Sequence, residues 1–113
     1  MTDVTWHAKN RMKQRVGVPK RAVAKQADRA FENGITHGET TGTLRRYLDS
    51  IYLKEGVANN IRILDGRIYL FAGRKLITVY MLPPQFRKKE LALMKKKRMK
   101  EQETQNGKEE TIV

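Results

Sequence analysis

The chain has 113 residues with no cysteine, three prolines and one tryptophan, and 24 Lys+Arg against 12 Asp+Glu give a formal net charge of +12. That size suits one domain; the lack of cysteine excludes disulfides, thiol nucleophiles, zinc knuckles and iron–sulfur clusters, and no apolar run approaches the roughly 18–20 residues of a spanning helix. No apolar h-region follows the amino terminus, and His7 and His37 are short of a usual transition-metal ligand set, so the expectation is a small cytoplasmic domain working without metal or cofactor and without a membrane.

Helical signals open the chain. Thr5 or Asp3 is placed to cap a helix starting at Trp6, and Gly17 is a natural left-handed stop. Pro19 suits the first turn of a second helix. There Val23, Ala27, Ala30 and Phe31 form a core-facing stripe, and Gly34 closes it. Residues 35–43 read as loop by composition. Leu44, Tyr47, Leu48, Ile51 and Tyr52 again keep helical period and predict a short third helix to about Lys54.

The pattern then changes to strands. Ile61–Leu64 and Arg67–Phe71 flank Asp65-Gly66, a pair suited to the two positive-φ positions of a type I′ turn. A second turn at Gly73-Arg74-Lys75 leads into Leu76–Leu82, and Pro83-Pro84 ends that strand because proline has no ladder donor. The fold class expected is α+β: two amino-terminal helices and a short third helix on one face of a three-stranded antiparallel meander. Residues 1–86 make the compact domain. Residues 87–100 form a basic helical extension with only a weak apolar stripe (Leu91, Met94, Met99), and 101–113 a disordered tail.

Charge is spread unevenly, at +8 over residues 1–86, +7 over 87–100 and −3 over 101–113, so the body is itself basic. Such a surface attracts polyanions through counterion release. His7, Arg11 and Arg15 follow at four-residue intervals and line one helical face. An imidazole that titrates near neutrality can take the proton of a ribose 2′-hydroxyl or protonate a leaving 5′-oxygen. Guanidinium groups bind non-bridging phosphate oxygens bidentately and stabilise the charge of the transition state. The same spacing also describes a plain solvated basic face with an incidental histidine.

On the last strand, unbroken alternation puts Ile77, Val79 and Met81 on the core side and sends Thr78 and Tyr80 outward, onto a surface where RNA can lie. Thr78 is then a phosphate ligand and Tyr80 a stacking or proton-donating group, although both are ordinary strand residues. Arg45, Arg46, Arg74, Lys75, Arg87 and Lys88 are further candidate phosphate contacts. His37 offers a second imidazole if its loop folds over the His7 face. Trp6 is either a core anchor or a base-stacking ring. Asp28, Glu32, Asp49 and Asp65 show no metal-ligand spacing.

The opening Trp-His-Ala-Lys-Asn-Arg-Met-Lys-Gln-Arg-Val-Gly-Val-Pro resembles the "H-A-x-x-R-M-x-x-R" start of small phage and mobile-element domains. These are placed in the barnase–EndoU–colicin–RelE (BECR) superfamily of metal-independent ribonucleases. The hairpin and the Leu-Ile-Thr-Val-Tyr strand are similar to the sheet of that RelE-like fold, and the resemblance spans about residues 5–82. It implies an endoribonuclease, often toxin-like, cleaving RNA by 2′-hydroxyl attack, with His7 and Arg11 and, less firmly, Thr78 and Tyr80 in the site. The partners that follow are RNA, in some cases on the ribosome, and an acidic antitoxin or inhibitor bound by the basic helix. Two alternatives stay open: a non-catalytic phage or mobile-element module that coats nucleic acid, or a protein-interaction adaptor.

Overall fold

The computed structural model of the chain describes residues 2–19 and 21–100. The tail expected to be disordered, 101–113, lies outside the described residues. In chain order the elements are β1 (Asp3–Val4), α1 (Trp6–Val16), α2 (Val23–Asn33), β2 (Ile35–Thr36), α3 (Gly42–Lys54), β3 (Asn60–Leu64), β4 (Arg67–Ala72), β5 (Lys75–Met81) and α4 (Arg87–Ile112). Helix α4 is described as far as Lys100.

Local chemistry sets these boundaries as the sequence implies. The Thr5 hydroxyl accepts from the Ala8 amide, and Gly17 takes φ 70° and closes α1 by donating to the Lys13 and Met12 carbonyls. Asp65 and Gly66 both adopt positive φ, 51° and 75°, the backbone a type I′ turn requires. Gly34 is needed for close approach: a Cβ there would lie 2.5 Å from the Ala30 carbonyl oxygen and 2.9 Å from Arg62 Cβ. Helix α2 can therefore turn directly into β2 against β3.

The predicted meander is present as β3–β4–β5, but it is the middle of a larger sheet. The strand order is β1-β5-β4-β3-β2, with β1 parallel to β5 and β2 antiparallel to β3. Each added strand is two residues long. Two residues are too few for alternation to show, and both strands exist because a neighbouring edge offers backbone partners.

The helices do not share one face, which corrects the expected packing. Ala8 and Met12 of α1 and Val23, Ala27 and Ala30 of α2 pack with Leu64, Tyr69, Phe71, Leu76 and Val79 on one side of the sheet. Leu44, Leu48 and Ile51 of α3 pack with Ile61, Ile63, Ile68 and Leu70 on the other, joined by Phe86 and by Leu93 of α4. The central strands are apolar on both faces, so both must be covered.

Helix α4 is held by polar contacts as well as by Leu93 and Met94 packed against the core. Glu90 is buried to 2% exposure; both of its carboxylate oxygens accept from the Gly66 amide at 3.1 Å, and Arg87 donates to it as well. Lys89 donates to the Thr41 carbonyl at 2.7 Å, and Lys97 to the Gly34 carbonyl at 2.8 Å and the Glu39 carboxylate at 3.0 Å. Leu91 and Met99 stay more than half exposed.

Candidate nucleic-acid interface

Helix α1 is the most uniformly cationic element of the fold. It carries Lys9, Arg11, Lys13 and Arg15 with His7, and no carboxylate. Its core stripe, Ala8 and Met12, anchors it on β5, which leaves His7 exposed and Arg11 and Arg15 half-buried. The Arg11 Nε–H donates to His7 Nε2 at 3.3 Å. In that contact the Nε2 lone pair is the acceptor, so Arg11 must turn away before Nε2 can take a proton. The four-residue spacing thus brings His7 and Arg11 together as expected.

Two turns further along, Arg15 meets the sheet. Strand β1 pairs with β5 only at Lys75 and Leu76, so the rest of that edge has carbonyls without a strand partner. Arg15 Nη1 donates to the Val79 carbonyl at 2.7 Å, and its guanidinium carbon lies 4.4 Å from the Tyr80 ring centroid. The Tyr80 hydroxyl donates to Glu55, and Lys54 Nζ lies 5.6 Å from the same ring centroid. Burial, then the Glu55 carboxylate, pushes the Tyr80 phenol above its ordinary value of 10.0, against the lowering pull of Arg15. The rise per helical residue puts His7 about 12 Å along the axis from Arg15, so His7–Arg11 and Arg15–Tyr80–Glu55 form two stations along one row.

Thr78 does not join them. It is 2% exposed, which corrects its expected outward position. Two causes combine. Leu70 pairs with Thr78 but Phe71 pairs with Leu76, so Ile77 is the extra residue of a β-bulge and the alternation slips by one there. In addition, the face carrying Thr78 and Tyr80 is roofed by α3 and α4. Of the expected core trio, Val79 keeps its place and Ile77 and Met81 do not. Val79 is fully buried and packs on the α1 side, Ile77 is half-buried, and Met81 is 54% exposed.

The other candidate cations are dispersed. Arg45 and Arg46 are exposed on α3, and Lys75 and Lys88 are exposed on β5 and α4. Arg74 lies in the β4–β5 turn with its guanidinium carbon 5.4 Å from the Phe31 ring centroid. Arg87 pairs with Glu90 at the β3–β4 turn. His37 does not reach the His7 face. It follows β2, at the sheet edge opposite β1, where Nε2 lies 2.6 Å from Asp49 Oδ1 and the ring packs edge-on to Tyr52 at 5.4 Å. Arg62 serves the scaffold: it donates to the Phe31 carbonyl at 3.3 Å, and burial lowers its pKa. Trp6 is no core anchor, being 74% exposed.

Sequence reasoning passed over two carboxylates. Glu55 has no signal of its own, because it meets Tyr80 only through the return of β5 past the end of α3. Glu90 had one: it is the lone acid among the eight basic residues of 87–100. Among the described residues, no group of three or more His, Asp and Glu side chains is placed to hold a metal ion, and no helix is long and apolar enough to cross a membrane. No protein-family model matches the chain, and no match was found among curated proteins or solved structures.

Proposed function

We propose that the protein binds RNA along α1 and cleaves it without metal at the His7–Arg11 pair. The observation carrying this reading is the hydrogen bond from Arg11 Nε to the exposed His7 Nε2 on a helix that carries four permanent cations and no carboxylate. The resemblance of the Trp6–Pro19 segment to the phage BECR-type ribonucleases supports it. In the step envisaged, His7 Nε2 takes the proton of a 2′-hydroxyl and the oxygen attacks the adjacent phosphorus. The bond to the 5′-oxygen breaks, and that oxygen takes a proton from water. The products are a 2′,3′-cyclic phosphate and a 5′-hydroxyl. Before the imidazole is protonated, Arg11 turns its donors to the phosphate oxygens, whose negative charge it stabilises. One station away Arg15, fixed on the Val79 carbonyl, and Tyr80, whose hydroxyl Glu55 accepts, shape the sheet edge beside the strand.

A non-catalytic RNA-binding module is the second reading. It is favoured by the removal of Thr78 from the surface and by the Tyr80 hydroxyl donating to Glu55. One experiment separates the two. The purified chain is incubated with a labelled single-stranded RNA and with its fully 2′-deoxy counterpart. Cleavage of the RNA alone, lowered about 100- to 10,000-fold by His7→Ala, is expected. A fall of less than about threefold removes His7 from the mechanism. Binding of both strands with no cleavage, and a slope of log K against log salt near −3 from about four neutralised phosphates, establishes the binding module instead.

A further inference from the structure

The only tryptophan of the chain stands where an indole is seldom left: Trp6 is 74% exposed. Large aromatic side chains contribute most when covered, which makes an uncovered one a surface open to a partner. Its setting narrows what that is. Trp6 opens α1 directly before His7, and one residue of helix turns about 100°. The indole therefore flanks the His7–Arg11 row. Lys9 and Lys13, three and seven residues on, continue along the stripe that Trp6 begins. Asn10 and Gln14 share the outward arc, while the apolar Ala8 and Met12 point to the core. The ring thus rises alone from a polar helix face that carries cations and no carboxylate. A lipid surface or an apolar protein pocket would call for further apolar neighbours on that arc, whereas a polyanion with flat, stackable faces matches both the charge and the isolated ring.

We propose that Trp6 is a stacking platform for one unpaired nucleobase, so that α1 selects single-stranded over duplex RNA, with phosphates on Lys9 and Lys13. The inference rests on the reading of α1 as an RNA interface but not on cleavage. Every base has a π face, so the platform is tolerant of sequence. A duplex hides those faces within its own stack and offers only its phosphates.

The test uses the full chain, and its single indole makes emission a report on this residue alone. It is titrated with a 2′-O-methyl decamer, which lacks the attacking hydroxyl and is not consumed, then with the same decamer as duplex, and with phosphatidylglycerol vesicles. Binding is followed in parallel by anisotropy of a label on the decamer. The single strand is expected to quench the indole, and the duplex to bind more weakly without quenching. Trp6→Ala is expected to weaken single-strand binding about 5- to 150-fold, with Trp6→Phe retaining most of it. The proposal is overturned if the decamer binds with emission unchanged, if Trp6→Ala binds as tightly as the parent, or if duplex quenches equally. Quenching by vesicles but not by RNA also overturns it and assigns the residue to a lipid surface. Quenching by the decamer in a protein that cleaves nothing upholds the platform and rejects the nuclease. Cleavage with no effect of Trp6→Ala does the reverse.

Discussion

Arg15 decides whether the α1 row is fixed scaffold or mobile ligand, and Arg15→Met tests it. The substitution keeps most of the apolar stem but removes the guanidinium, which donates to the Val79 carbonyl at 2.7 Å and lies 4.4 Å from the Tyr80 centroid. A hydrogen bond from a charged donor contributes about 1.5–3 kcal/mol. The half-buried setting of Arg15 places this one at the lower end. The contact with the ring adds about 0.5–1 kcal/mol at partial exposure. Together they give an expected loss of about 2 kcal/mol, or about 8–16 °C in Tm for a domain of this size. Thermal unfolding by circular dichroism reads the total. A double-mutant cycle with Tyr80→Leu isolates the ring contact, with an expected coupling of about 0.5–1 kcal/mol. A total loss below about 0.5 kcal/mol refutes the reasoning. It would mean that the guanidinium leaves the β5 edge in solution, and Arg15 would then be counted with Arg11 as a side chain turned to phosphate.

Two further outcomes follow from the packing. Glu90→Ala leaves the Gly66 amide and Arg87 without their buried acceptor, so a loss of about 2–3 kcal/mol in urea unfolding is expected. A change below about 0.5 kcal/mol would show that α4 is not held through that carboxylate. Stability is also expected to fall as the pH rises past the ordinary phenol value of 10.0. Burial first of all raises Tyr52, Tyr69 and Tyr80 in the folded chain. A raised folded pKa means that the unfolded chain releases its proton first, so the contribution is complete below pH 10 and is lost as pH climbs through the folded values. Denaturant unfolding at several pH values checks the sign, and a midpoint that increases above pH 10 would contradict it.

What could be read from the chain alone follows the range over which each signal acts. The caps at Thr5 and Gly17 and the Asp65-Gly66 turn depend on neighbours a few residues apart, and they appear where their side chains and φ angles demand. The edge strands at Asp3–Val4 and Ile35–Thr36 depend on partners at Lys75–Leu76 and Arg62–Ile63, distant in sequence and carrying no motif of their own. The site divides along the same line. His7 and Arg11 meet because four residues make about one turn of helix. Glu55 reaches Tyr80 only by tertiary return, and burial of Thr78 follows from one extra residue at Ile77.

That extra residue also shapes the candidate interface. Without the bulge, unbroken alternation from Leu76 would keep Thr78 and Tyr80 on the side of the sheet where Leu76 packs against α1. The slip turns them to the α3 side instead. Tyr80 can then meet Glu55 from α3 while Arg15 reaches across the open edge of β5 from α1. One helix thereby supplies both an exposed imidazole–guanidinium pair at its start and a fixed guanidinium near its end. A bound strand would run between them along the helix, which is why the charge of α1, more than the lysines of α4, should govern how tightly RNA is held. Three lysine-to-glutamine changes at Lys95, Lys96 and Lys100 should therefore lower the salt slope less than the pair Lys9→Gln and Lys13→Gln.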